Sequence, residues 1–318
     1  MKKQRTIYVR HEGYIRQFIE QTVNNYGFIV KVLEEDSMPG KGDLVLYTDV
    51  SAYRGWLRFK QLIVARRNHA KIILLLYEPP VVIPYNYWRI LHLPVQKIYT
   101  WNDEMIDNKR YFKWFWPQWS KDRMRKAIPF KKRKKLLAIF CSNKQPAIPF
   151  YPRSLYEKRV DTMRFFEKKI PKQFDIYGRW WDKPATFFER LFGAQGFKNW
   201  KGFVDDKIRR LATYKFCICY ENLAGKKGYI TEKILDAFKA RCVPIYWGAS
   251  NIDKYFPKEM FIDRRNFKND QEVLSYIYAI KEQEYNKYIL AIDMYMKSKK
   301  ADVWFPDAVG KKMLKENT

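Results

Sequence analysis

The stretch from Cys219 to Ser250, CYENLAGKKGYITEKILDAFKARCVPIYWGAS, reads as a strand, a glycine-bearing loop, a helix and a second strand. Phe216–Tyr220 is nearly all apolar and fits a strand buried on both faces. The loop from Glu221 to Tyr229 carries Gly225 and Gly228, which permit unusual backbone angles. Thr231 is a good N-cap, and Ile234, Leu235 and Phe238 give the helix an apolar face. Val243–Trp247 supplies the second buried strand. A strand–helix–strand unit of this length is a right-handed crossover. The loop after Tyr220 and the helix start at Thr231 therefore lie at the carboxyl edge of a sheet, where open α/β sheets bind ligands.

Lys233 is the odd residue in this unit. The first turn of a helix carries partial positive charge, and an exposed cation there costs about a few tenths of a kcal/mol. An anion bound at that turn would reverse the sign, because backbone N–H groups, the dipole and the lysine would all point at one phosphate. The alternative is a solvated lysine pairing with Glu221, Glu232 or Asp236.

The rest of the chain gives this unit its setting. Its 318 residues suggest two domains of ordinary size, and a 47% hydrophobic, 18% aromatic composition excludes a disordered protein. The formal net charge is +28, from 62 basic against 34 acidic residues. Such a field favours an anionic partner, whether nucleic acid, an acidic membrane face or a phosphorylated small molecule, although it also serves solubility. No nucleic-acid-binding motif accompanies the charge, and no nucleic acid is expected as partner. The four cysteines, at 141, 217, 219 and 242, form no CxxC and read as small buried residues in a reducing compartment. Three histidines without ligand spacing make a zinc site improbable. MKKQRTIYVRHEG lacks the apolar region of a signal peptide, and no stretch reaches membrane-span length. The expectation is a cytoplasmic protein, with peripheral contact to an anionic membrane left open.

Thr6–Val9, Phe28–Leu33, Asp43–Tyr47, Lys71–Tyr77 and Lys97–Thr100 read as strands, and 53–67 as a helix with Trp56, Phe59, Leu62, Ile63 and Ala65 on its apolar side. Near Phe130 the pattern restarts through a charged connector, PFKKRKK, into a strand at Leu136–Cys141. A helix over 154–168, the strand in QFDIYG, the strand Lys215–Tyr220 and helical patterns over 271–297 follow. The alternation predicts an α/β protein of two Rossmann-like domains facing a central cleft. The expected division is 1–130 and 131–318, with the terminal helices able to pack back on the first domain.

YENLAGKKGYITEKILDAFKARCVPIYWGAS also resembles the family 10 α-1,3/1,4-fucosyltransferases. Their pattern is aromatic-Glu-Asn, a short loop, Tyr-hydrophobic-Thr-Glu-Lys, a helix, then Val/Ile-Pro, two hydrophobic residues, Trp/Leu and Gly. QFDIYGRWW and KGFVDDKIRRLATYKFCICYEN are similar to the segments that precede this pattern, with tryptophan where a glycine often stands. YEPPVVIPYNY and IYTWNDEMID resemble acceptor-domain motifs of bacterial members.

The resemblance implies a GT-B fold and an inverting transfer of L-fucose from GDP-β-L-fucose to a glycan hydroxyl, with N-acetylglucosamine of a lactosamine-like unit and an α-1,3 linkage expected. It implies that Arg159 and Lys233 neutralise the diphosphate as it leaves, with Lys207 a lesser phosphate contact and Arg164 competing for the role of Arg159. Glu232 would hold donor hydroxyls, and Asn222, Tyr229, Ile230 and Thr231 would seat the nucleotide. The general base is expected at Glu78, which follows the buried strand Lys71–Tyr77 at a second carboxyl edge, stiffened by Pro79 and Pro80; the resemblance points to the same residue. Tyr85, Tyr87, Trp88 and Trp101 are core, cleft wall or stacking surface for the acceptor. No cofactor and no metal is required: Asp205-Asp206 has the wrong spacing for a metal-dependent transferase, and lysine and arginine would replace the cation.

Overall fold

The structure is a computed structural model that describes residues 5–9, 20, 28–34, 36–53, 55–116, 124–184, 189, 191 and 196–305. The chain divides into two compact units, Met1–Lys121 with Asp302–Thr318, and Asp122–Ala301. The division lies ahead of the charged connector. The physical reason is visible at Arg125, whose backbone N–H donates to Lys239 O at 2.9 Å and whose guanidinium pairs with Asp206 at 2.7 Å. Within the connector, Arg133 is buried and donates to the carbonyls of Ala212 (2.9 Å) and Tyr214 (2.7 Å), so part of this charge run is structural.

The first unit holds six parallel strands: β1 (Arg5–Val9), β2 (Phe28–Val32), β3 (Leu44–Thr48), β4 (Lys71–Leu76), β5 (Lys97–Thr100) and β6 (Tyr111–Lys113), ordered β2-β1-β3-β4-β5-β6. Side chains alternate across a strand, and the two faces separate cleanly. Leu44, Leu46, Ile73 and Leu75 pack in one core, while Val45, Tyr47, Ile72, Leu74 and Leu76 pack in the other. A strand apolar at every position needs cover on both faces, as parallel sheets have.

Helix α1 (Trp56–Arg67) departs from its expected apolar side. Leu62 and Ala65 are buried, but Trp56 is 80% exposed and Phe59 44%. The residues 56, 59, 62 and 65 are spaced by three, and at about 100° per residue that series turns about 180° around the helix between its ends. Trp56 therefore faces away from Ala65.

Asp49, directly after β3, has φ of 60° and is 7% exposed. Burial pushes its carboxyl up to about 7, against the pull of donors from Tyr77, Glu78 and Asn86. Between the unfolded value near 3.9 and the folded value the native state holds more protons, so stability falls as pH rises through this window, by up to about 4 kcal/mol. Asp49→Asn, which keeps an acceptor oxygen and tolerates positive φ, is expected to gain on the wild type as pH rises from 5 to 8. Denaturation midpoints across that range check this, and parallel curves would contradict it.

The second unit holds β7 (Lys135–Phe140), β8 (Phe174–Tyr177), β9 (Tyr214–Tyr220), β10 (Val243–Trp247) and β11 (Ile262–Asp263), all parallel, in the order β11-β10-β9-β7-β8. Among the described residues its helices include α2 (Tyr156–Lys169), α3 (Lys207–Leu211), α4 (Glu232–Lys239), α5 (Asp270–Ala279) and α6 (Glu282–Lys297). Counted within the unit, the order is 2-1-3-4-5, the same as that of the first five strands of the other unit. In such sheets the crevice for ligands opens where the order reverses, at the carboxyl ends of strands 1 and 3. In the second unit those ends are β7 and β9.

Candidate active site

The strand end at β9 delivers Glu221, which has no exposed surface. Its carboxylate accepts the Thr231 backbone N–H (2.9 Å), the Thr231 hydroxyl (2.7 Å) and the Lys233 ammonium (3.2 Å). A buried carboxylate is tolerable only with such a set of donors. This explains Lys233. Its side chain is 13% exposed, bonded to Glu221 and Thr231 and 3.9 Å from Glu232. The pairing with Glu221 and Glu232 that the alternative reading expected is present, but the lysine is not solvated and Asp236 is not its partner. Desolvation works against the charge on Lys233, but Glu221 and Glu232 outweigh it and hold the group above an ordinary lysine, while Arg159 and Lys207 oppose them.

Thr231 caps α4, and Ile234, Leu235, Ala237 and Phe238 bury the helix against the sheet. Gly248 belongs to the same construction. A Cβ there would stand 2.5 Å from Glu221 Cγ and closer still to the Tyr246 hydroxyl. Gly248→Ala is expected to cost about 1–3 kcal/mol by overpacking and to displace Glu221; a denaturant midpoint measures the first effect and GDP titration the second.

Arg159 arrives from α2. The loop after β9 pairs with the segment leading into that helix: Leu155 N donates to Asn222 O at 3.1 Å and Ala224 N to Arg153 O at 2.9 Å. Arg159 is 4% exposed, lies over the Tyr156 ring at 4.3 Å and donates from Nε to Leu155 O at 3.4 Å. Its Nη2 is buried and has no hydrogen-bond partner among the described residues. Arg164, five residues on, is bound to Glu189 (2.9 Å) and Glu167 (3.5 Å) and stacks over Phe197.

Lys207, at the start of α3, pairs with Asp236 of α4 at 2.8 Å. Desolvation opposes its charge, but Asp236 and Glu232 prevail and raise the group above an ordinary lysine. Burial pushes the Glu232 carboxyl up, yet Lys233 and Lys207 together hold it below the usual range. Cys141, after β7, feels Arg159, Lys233 and Lys207 at once, although burial raises its thiol. The ends of β7 and β9 thus gather three cations, two with carboxylate partners and one with a buried N–H group unmatched.

Asn222, Glu232 and Lys233 are half-buried, and Tyr229, Ile230 and Thr231 are buried. Glu78 is in the first unit, half-buried after β4, its carbonyl accepting from Asn86 (3.0 Å) and Tyr87 (3.3 Å). Trp101 is core, 1% exposed and bonded to Tyr77 O at 3.0 Å, so it is no stacking surface; Trp88 is 61% exposed. Asp206 caps α3 by accepting from Arg209 N. Among the described residues no group of three or more His, Cys, Asp or Glu could hold a metal ion. The four cysteines are free, and no helix of the described residues is long and apolar enough to cross a membrane. The basic tail KKMLKENT lies outside the described residues.

Sequence reasoning missed Glu221 as the buried holder of Thr231 and Lys233, having placed it only as a surface partner. An acid at the end of a nearly all-apolar strand, ten residues before an N-cap threonine, is the signal it left unread.

Comparisons with known proteins give the chain its family and its fold. The family model described as glycosyltransferase family 10 (fucosyltransferase) C-term matches residues 130–303, more than half of the chain. An alpha-(1,3)-fucosyltransferase of Helicobacter pylori is 40% identical over 90 residues, 28% of this chain and 19% of that protein. The chain thus spans about a fifth of the length of this curated relative. A solved alpha1,3-fucosyltransferase with GDP is similar over 91% of this chain and 83% of its own, at 17% identity and a TM-score of 0.54. One with GDP-fucose is similar over 90% and 81%, at 17% identity and a TM-score of 0.50. The fold is α/β of the GT-B type, with two Rossmann-like units, and the chain belongs to glycosyltransferase family 10, the fucosyltransferases.

Proposed function

We propose that the protein transfers L-fucose from GDP-β-L-fucose to a hydroxyl of a glycan, with inversion at the anomeric carbon. The observation that carries this reading is the buried, unmatched Nη2 of Arg159 beside Lys233 and Lys207 at the ends of β7 and β9. A diphosphate supplies the anionic oxygens such a cluster lacks, and cations aimed at charge that grows on the leaving group lower the barrier. Solved relatives hold GDP or GDP-fucose, and the curated relative acts with α-1,3 regiochemistry by name.

In the reaction, the acceptor oxygen attacks C1 of fucose while the C1–O bond to GDP breaks. The acceptor proton passes to the Glu78 carboxylate, and the electron pair of the broken bond leaves on GDP, where Arg159 and Lys233 meet it and Lys207 adds to the field. Glu232 holds donor hydroxyls, and Asn222, Tyr229, Ile230 and Thr231 seat the nucleotide. The acceptor is N-acetylglucosamine of a lactosamine-like unit, joined through an α-1,3 linkage. The +28 charge further supports docking on an anionic cytoplasmic membrane face near a glycolipid acceptor; vesicle sedimentation at low and high salt tests that step.

Incubation with GDP-β-L-fucose and N-acetyllactosamine, with the product linkage read by NMR, tests the reaction. An α-fucosyl product is expected, and a β-fucosyl product or equal use of a uridine-linked donor would overturn the reading.

A further inference from the structure

The peptide of Glu78 is held from both sides by buried side chains. Asp49 Oδ1 accepts the backbone N–H groups of Tyr77 (2.7 Å) and Glu78 (3.1 Å) and the Asn86 side-chain amide (2.6 Å). The same Asn86 nitrogen donates to Glu78 O at 3.0 Å, joined there by the Tyr87 hydroxyl at 3.3 Å. Asn86 has no exposed surface, and its Oδ1 accepts the Val50 N–H at 2.9 Å. Behind it stands His92, also fully buried, with Nε2 donating to Asn86 O (2.8 Å) and Nδ1 3.0 Å from the Tyr111 hydroxyl. A carbonyl can only accept, so Nε2 carries the proton; in the neutral ring Nδ1 then accepts from Tyr111. Burial lowers the proton affinity of His92, in keeping with a neutral ring.

A carboxylate is a costly way to cap two N–H groups at a strand end. Asp49 is desolvated, sits at positive φ, and feels the like charge of Glu78. A buried residue in a sparsely populated backbone region persists where the surroundings over-determine it, and such positions cluster at functional sites. We propose that Asp49, supported by Asn86, is the positioning residue of Glu78, holding its N–H and C=O so that the carboxylate is presented at the carboxyl end of β4. This inference rests on the reading of Glu78 as the base. Positioning of a catalytic group within fractions of an ångström governs rate more than binding.

Steady-state kinetics with GDP-fucose and N-acetyllactosamine, alongside GDP titration and circular dichroism, test it on Asp49→Ala, Asp49→Asn, Glu78→Gln and the Asp49→Ala/Glu78→Gln double variant. Asp49→Ala is expected to lower kcat by about 10- to 100-fold with GDP affinity kept within twofold. Asp49→Asn, which retains an acceptor oxygen, should recover most of that loss. The double variant should be no slower than Glu78→Gln alone, because Asp49 acts through Glu78. A folded Asp49→Ala protein with wild-type kcat beside an inactive Glu78→Gln overturns the positioning inference alone, as does a double variant with multiplied losses. An active Glu78→Gln overturns the base reading instead. If Asp49→Ala does not fold, Asn86→Ser carries the test: it removes the amide that joins Asp49 to the Glu78 carbonyl, leaving only the Tyr87 hydroxyl there, and should lower kcat without weakening GDP, and an unchanged kcat refutes the inference.

Discussion

Glu78→Gln is expected to lower kcat by about a hundredfold to ten-thousandfold, the range set by loss of a general base, while GDP affinity stays unchanged. The substitution is isosteric and touches none of the backbone hydrogen bonds that hold residue 78, since Asp49, Asn86 and Tyr87 all bind its peptide. The fold of the first unit should therefore survive. The cations proposed to bind the diphosphate all belong to the second unit, Asp122–Ala301, so on that proposal donor binding has no reason to change. An amide cannot take the acceptor proton, so the acid limb of the pH–rate profile should flatten along with the fall in rate. Equal losses in GDP affinity and kcat would instead make Glu78 part of the donor site.

Replacing Arg159 by methionine should also collapse catalysis without loss of stability, but with GDP binding lost as well. The guanidinium is buried, and its Nη2 has no partner among the described residues. Removing an unsatisfied buried donor removes a desolvation penalty of about 1–3 kcal/mol, and methionine keeps the packing over Tyr156. The melting temperature should hold or rise. Loss of one charge-assisted contact to the leaving group should cost about a hundredfold to a thousandfold in kcat/KM. Lys233→Met provides the contrast. It strands the Glu221 carboxylate, which has no exposed surface, and breaking a buried pair from one side costs about 3–5 kcal/mol. Lys233→Met should thus lose stability and activity together. Arg164→Met, whose parent is already matched by Glu189 and Glu167, should leave kcat/KM near wild type.

The crossover from β9 to β10 was legible because every device in it is local. The apolar runs fix two buried strands, Thr231 fixes where the helix begins, and Val243–Trp247 occurs as read. β6 and β11, of three and two residues, are too short to carry a periodicity. The helix α1 misled because spacing by three suggests a face that it does not keep. Within the site, residue types were readable but their pairings were not. Whether an acid after a strand is solvated or wholly buried depends on what folds over it, and for Glu221 that cover includes Thr231, ten residues on. Asp49 and Asn86 are 37 residues apart, and no local pattern announces that both would meet at Glu78. Asp206, conspicuous as half of an acidic pair, spends its carboxylate capping α3 and pairing with Arg125.

On the proposed function, the cations at the ends of β7 and β9 bind the diphosphate of a guanosine donor. Calorimetric titration of the wild type and Arg159→Met with GDP, GDP-fucose and UDP tests it most directly. Saturable binding of both guanosine ligands, weak or no binding of UDP, and loss of GDP binding in a folded Arg159→Met protein are expected. Equal binding of UDP, or GDP affinity untouched by that substitution, would contradict it.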